Sequence, residues 1–177
     1  MPAGQGLDVG ALACVIRDSL VVHYSAAPDI GLPDRRIIAP GMPELVAADC
    51  ECVIVTCSGL DRGVAPGLGT IAAQGQRAGL PTSAAGGLRH AVFAVQIWRE
   101  SPEGARAPDP DDITTAGLRH MRDMGLLSQG LVDICTAVDR VLPRDSVVQP
   151  GTVNSLGPEG GLTGVQGTLA ATIGILV

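Results

Sequence analysis

The stretch His90-Ala-Val-Phe-Ala-Val-Gln-Ile-Trp-Arg99 decides the fold. Its side chains sort by twos. Ala91, Phe93, Val95 and Ile97 share one face, and Val92, Ala94, Gln96 and Trp98 the other, the alternation of a strand. Upstream, Cys50-Glu-Cys-Val-Ile-Val-Thr-Cys57 is β-branched and apolar on both faces, as a central strand would be. A loop rather than a helix separates the two runs, so no crossover is needed and they are predicted to pair antiparallel. Near the C-terminus, Leu169, Ala171, Ile173, Ile175 and Val177 alternate with Thr168, Ala170 and Thr172 in a terminal strand.

Helical periodicity flanks these strands. Asp8 stands as the N-cap of a helix to about residue 26, with Val9, Leu12, Ile16, Leu20 and Tyr24 on one face and Arg17 and Asp18 turned away. Asp109-Pro110-Asp111-Asp112 is a stronger start: Asp caps, Pro is pre-set for the first helical position, and the acids complement the dipole. Ile113, Met121, Met124, Leu127, Leu131, Ile134 and Val138 carry that stripe to about residue 141, and Pro143 closes it. Gly117, Gly125 and Gly130 each cost about 1 kcal/mol against Ala inside a helix, which predicts a kink or split near Gly125–Gly130.

Glycine and proline mark the rest. Together they make up about 21% of the 177 residues, against roughly 12% in an average protein. Residues 27–49 hold Pro28, Pro33, Pro40 and Pro43, with room for a short strand at Arg35–Ala39. Residues 60–87 carry seven glycines and no sustained apolar period; they read as a long interaction loop, with room for a short hairpin near Gly69–Gln76. Asn154–Gly164 reads as a second glycine-rich turn. The sum is a single α+β domain over 1–177: a small, mostly antiparallel sheet with helices packed on one face and long Gly/Pro-rich loops. The other face is left to Trp98, Gln96 and their neighbours, and a half-covered sheet implies a partner or a folded-back loop.

Composition narrows the function. Tyr24, Phe93 and Trp98 are the only aromatics, so repeated base stacking has almost no material. All twelve basic residues are Arg, leaving no amine for a Schiff base or a P-loop contact. A net charge of −6 makes a poor non-specific nucleic-acid clamp. Met1-Pro-Ala-Gly-Gln-Gly6 lacks the basic run and apolar core of a secretory leader, and no window approaches the ~18 apolar residues of a membrane span. The five cysteines, Cys14, Cys50, Cys52, Cys57 and Cys135, read as small hydrophobes in a reducing compartment, since Cys50, Cys52 and Cys57 lack metal-ligand spacing.

Catalytic patterns are weak. Gly67-x-Gly69-x-x-Ala72 copies part of a dinucleotide fingerprint but lacks the third glycine and follows Pro66 in a long loop. Gly157-Pro-Glu-Gly-Gly161 could form an anion nest, although a strand follows it rather than a helix. His23, His90 and His120 lie on different elements; His120 with Asp123 could be an acid–base pair or a surface contact. Ser58-Gly59 lacks the preceding half of a nucleophile elbow, and Asp111-Asp112 reads as helix-end charge. No catalytic residue, cofactor or metal ligand is assigned, and an enzyme is not expected. From Asp61 to Glu100 four Arg face two acids, so this segment could dock on an acidic neighbour. The candidate interface residues are Arg62, Gly67, Gly69, Gln74, Arg77, Arg89, Trp98 and Glu159.

Three stretches together resemble the tail terminator (head-to-tail connector) proteins of long-tailed phages infecting actinobacteria. They are Cys52-Val-Ile-Val-Thr-Cys-Ser-Gly59; His90–Pro102 followed by a Pro/acid loop and a helix ending in Leu126-Leu-Ser-Gln-Gly-Leu131; and Gly157-Pro-Glu-Gly-Gly-Leu162 before the terminal strand. Leu162 stands where the family pattern has Cys. The resemblance implies a virion subunit forming a homo-oligomeric ring, commonly a hexamer, that caps the tail tube, stops its polymerisation and joins tail to head. Its partners would be the major tail tube protein on one face and a head-completion protein on the other. DNA would pass through the lumen without specific binding, and no cofactor or membrane is implied. Localisation would be the head–tail joint, and the host cytoplasm during assembly. The alternatives are another connector ring, a stopper or adaptor, or a small ligand-binding domain or enzyme using the Gly67–Gly69 loop.

Overall fold

A five-stranded mixed sheet in the order β1-β2-β3-β5-β4 organises the computed structural model, which describes residues 8–39, 51–62, 89–102, 109–144, 146–159 and 161–173. The elements are α1 (Val9–Ser25), β1 (Arg35–Ala39), β2 (Cys52–Arg62), β3 (Arg89–Glu100), α2 (Pro110–Val141), β4 (Val147–Glu159) and β5 (Leu162–Ile173). The α+β architecture is as the sequence predicts. β3 occupies the centre, antiparallel to β2 on one side and to β5 on the other. β1 joins the edge parallel to β2, and β4 closes the opposite edge antiparallel to β5.

Both helix starts follow from their caps. The Asp8 carboxylate accepts the backbone N–H of Gly10 at 2.9 Å and of Ala11 at 3.2 Å, and Asp109 accepts that of Asp111 at 2.9 Å. From α1, Leu12, Ala13, Ile16, Leu20 and Tyr24 are buried; from α2, Leu127, Leu131, Ile134 and Val138 are. They meet Val53, Val55, Phe93, Val95, Ile97, Val165 and Leu169 in one core on one face of the sheet. Each large side chain fully buried there contributes roughly 1.5–3 kcal/mol.

Three expectations are corrected. The strand expected at Cys50–Cys57 runs instead from Cys52 to Arg62, so the segment expected to be loop from residue 60 begins as strand. It carries a bulge between Cys57 and Gly59. α2 is one helix of 32 residues with no split at Gly125–Gly130. Gly130 sits where a Cβ would come within 2.9 Å of His23 Cδ2, so this glycine serves helix–helix contact rather than a break. The region read as a glycine-rich turn is β4 and the start of β5, a hairpin in which Glu159 stands opposite Leu162. Pro150, Gly151, Gly157 and Pro158 are tolerated because β4 is an edge strand whose register shifts between Pro150 and Val153 and again between Leu156 and Glu159. Gly161, at φ +83°, supplies the left-handed turn residue.

The far face, for which the sequence implies a partner or a folded-back loop, has its own core. Trp98 and Gln96 are buried there: Cys52, Ile54, Trp98 and Leu162 form a second buried cluster, with Ile37 and Leu156 packed against it. The Trp98 ring lies over Gly164, its register partner on β5, where a Cβ would come within 2.9 Å of the indole. Its Nε1–H donates to Gln96 Oε1 at 3.1 Å, and Gln96 Nε2 donates to Gln166 Oε1 at 2.7 Å. The loop expected over residues 63–87, its hairpin near Gly69–Gln76, and Cys50 lie outside the described residues.

Candidate functional site

Strand alternation puts Arg99 in phase with Ile97, so the last turn of β3 aims a guanidinium at the helix-covered face. Arg99 and Asp123 are only 5% and 1% exposed, a burial that charged groups accept only when paired. Arg99 Nε donates to Asp123 Oδ2 at 2.9 Å and Nη2 to Asp123 Oδ1 at 3.1 Å, a fork matched to a carboxylate. Nη1 reaches Glu51 Oε2 at 3.2 Å, and Nη2 also donates to the Gly31 carbonyl at 2.6 Å. Arg119, one turn before Asp123 on α2, grips the same Glu51 through Nη1 at 2.9 Å and Nη2 at 3.2 Å. Tyr24 Oη–H donates to the Asp123 carbonyl at 3.2 Å.

The electrostatics follow from the geometry. Burial pulls the Arg99 pKa down, but the hydrogen bonds and charge of Asp123, then of Glu51, outweigh it and leave the group above its ordinary value. Tyr24 is pushed up, first by burial and then by the negative charge of Asp123. The network joins the Arg99 and Arg119 guanidiniums to the Asp123 and Glu51 carboxylates. It ties four segments together: the turn after α1, the start of β2, the end of β3 and the middle of α2.

Above it lies a cleft of about 170 Å³ lined by Arg99, Glu100, Asp112, Thr115, Arg119 and His120, among others. That is below the roughly 300 Å³ at which small-molecule pockets begin. Both guanidiniums that could hold an anion there are already engaged by Asp123 and Glu51. His120 Nε2 lies 2.8 Å from Ser155 Oγ on β4, so His120 pairs across to the sheet and Asp123 pairs with Arg99; the two are not partners of each other. A second, apolar groove of about 530 Å³ lies between the first turn of α1, the end of β1 and the bulge in β2, lined by Val9, Ala13, Ile38, Ala39, Cys57 and Gly59 among others. No group of three or more His, Cys, Asp or Glu side chains among the described residues is placed to hold a metal ion.

The interface residues named from the sequence are not gathered into one patch. Gly67, Gly69, Gln74 and Arg77 lie outside the described residues. Arg62 and Arg89 are register partners at one end of the β2–β3 pair. Trp98 is nine residues further along β3, about 30 Å away at strand rise, and buried. Glu159 ends β4 at that same far end of the sheet.

Sequence reasoning missed the Arg99–Asp123–Glu51–Arg119 network. One signal pointed to half of it: Arg99 is a charge in phase with an apolar strand face, which demands a buried counter-charge. Which carboxylate would answer could not be read, because the partners lie 24 and 48 residues away along the chain. No protein-family model matches the chain, and no curated protein sequence matches it.

Proposed function

We propose that this chain is the subunit of a ring that terminates the tail tube of a long-tailed phage and joins it to the head. One observation carries the reading. The stretches that bear the resemblance fall on contiguous pieces of one architecture: residues 52–59 in β2, 90–100 in β3, 126–131 in α2, where Leu127 and Leu131 enter the core, and 157–159 and 161–162 where β4 gives way to β5. β2, β3 and β5 are neighbouring strands, so the resemblance follows the sheet rather than scattered turns.

The physics suits a ring. Head-to-tail contacts between identical subunits close when their rotation allows it. Six copies would carry a formal charge of −36, and a lumen of that sign repels DNA and lets it slide. The Arg99 network would hold the sheet end and both helices as one rigid block, which a cap needs if it is to end a growing tube at a fixed face.

Labelling the chain in intact virions tests the placement. A label between the end of the tail tube and the head-completion protein supports the reading. A label on the portal side, where a stopper or adaptor sits, or no label in the particle, overturns it.

A further inference from the structure

The two edges of the sheet, β1 and β4, match each other in level and in direction. Followed from strand to strand, the register sets Arg36, Ile37 and Ile38 of β1 level with Ser155, Asn154 and Val153 of β4. That level is where β4 is straight: Val153–Leu156 is the run between its two register shifts, and Pro150 and Pro158 stand outside it. Bulges and prolines guard an edge strand against pairing, so β4 keeps one short window in which a further strand can be added. β1 is parallel to β2 and every later pair in the sheet is antiparallel, so β1 and β4 run in opposite directions.

Both edges carry apolar side chains that the described fold covers in part, and they do so on both faces. On the helix-bearing face, Ile38 is 38% exposed beside the apolar groove, and Val153 is half-buried at the margin of the main core. On the far face, Ile37 and Leu156 are half-buried at opposite margins of the small cluster around Trp98. A second copy whose sheet continues past β1 presents its β4 there, antiparallel and with its helices on the same face. Ile38 then stands opposite the partner's Val153, and Ile37 lies diagonal to the partner's Leu156. Arg36 stands opposite the partner's Ser155, so no like charges face each other in the window. A β1 paired with itself about Ile37 would instead set Arg36 against the partner's Ile38, a guanidinium against an apolar side chain.

We propose that β1 of one copy pairs antiparallel with β4 of the next, Arg36–Ile38 along the partner's Val153–Ser155, so that neighbouring subunits join their sheets edge to edge. Main-chain hydrogen bonds hold such an added strand, and the apolar margins on the two faces set its level. The contact is heterologous: each copy offers β1 on one side and β4 on the other, and the series closes where the rotation allows. This inference rests on the ring reading and names the surface by which the ring closes.

Disulfide trapping in assembled particles tests it and keeps the two readings apart. Residues directly opposite on antiparallel strands lie about 4.5–5.5 Å apart, within disulfide reach. Oxidised particles whose full chain carries both Arg36→Cys and Ser155→Cys are expected to give a ladder of linked copies on a denaturing gel, which the parent with its native cysteines does not give. Ile38→Cys with Val153→Cys, two rows on, is expected to give the same ladder. Arg36→Cys with Val147→Cys is expected to stay unlinked. The register partner of Val147, Thr172, lies seven residues along β5 from Val165, the partner of Ser155, or roughly 23 Å. Positions 36, 147 and 155 are exposed, so the variants are expected to keep the parent's circular dichroism. A chain present in the particle with no ladder from either matched pair, an equal ladder from the 36/147 pair, or linked dimers from Arg36→Cys alone would overturn the edge pairing and leave the ring reading standing. Absence of the parent chain from the particle would overturn the ring reading and the edge pairing with it.

Discussion

Arg99 holds more of the molecule together than any other charged residue described. Replacing it with Met leaves the Asp123 carboxylate buried without its partner. The expected cost is about 3–5 kcal/mol, the range for breaking a buried pair from one side. Arg99→Lys is expected to recover little, because an ammonium cannot reproduce the two-pronged contact with Asp123 or the added bonds to Glu51 and Gly31. Urea unfolding of the two variants checks this; equal stability of the Lys variant and the parent would contradict the role assigned to the fork. A second residue sets a pH response. Burial pushes the Cys135 thiol from its ordinary 9.0 up to about 11. Above pH 9 the unfolded chain releases this proton while the folded chain still holds it. Stability from this group is therefore full below about pH 9 and falls by roughly 2–3 kcal/mol as pH rises to about 11. Tyr24, also raised, extends the loss upward from its ordinary 10.0. Cys135→Ala is expected to flatten the fall of the urea midpoint between about pH 8.5 and pH 10, and an unchanged slope would argue against a buried thiol.

Among the elements, α2 separates two kinds of glycine. Gly117 has open space around it, so Gly117→Ala is expected to stabilise the helix by about 0.5–1 kcal/mol. Gly130 lies against the His23 ring, which itself holds α2 through Asp133 at 2.7 Å. Gly130→Ala is expected to destabilise by about 1–3 kcal/mol despite the better helix former, because the ring must move. Thermal unfolding of the pair checks the opposite signs. The helices and inner strands were legible because their signals are local: the Asp caps, the 3.6-residue stripe of α1 and the two-residue alternation of β3. β4 was not legible, because Pro150, Gly151, Gly157 and Pro158 are turn residues by type and become strand residues only on a bulged edge. The same limit hid the site. Arg99 announced a buried charge, while Glu51, Asp123 and Arg119 reach it through the tertiary fold alone. The strand face of Trp98 was legible too, but nothing in the alternation shows what covers that face of the sheet.

At the scale of the whole molecule, the excess of glycine and proline has two different causes. Part of it lies inside the sheet, at the β4 bulges, at the Gly161 turn and where Gly164 receives Trp98. The rest falls largely in connecting stretches of the sequence. β3 at the centre of the sheet and the Arg99 network tie the sheet to both helices. In the function proposed above, contacts with other chains end a growing tail tube. Electron microscopy of tails made without this chain, read for their length, puts that proposal at risk in a single experiment. Tails of uncontrolled length that fail to join heads are the expected result. Tails of normal length would contradict it.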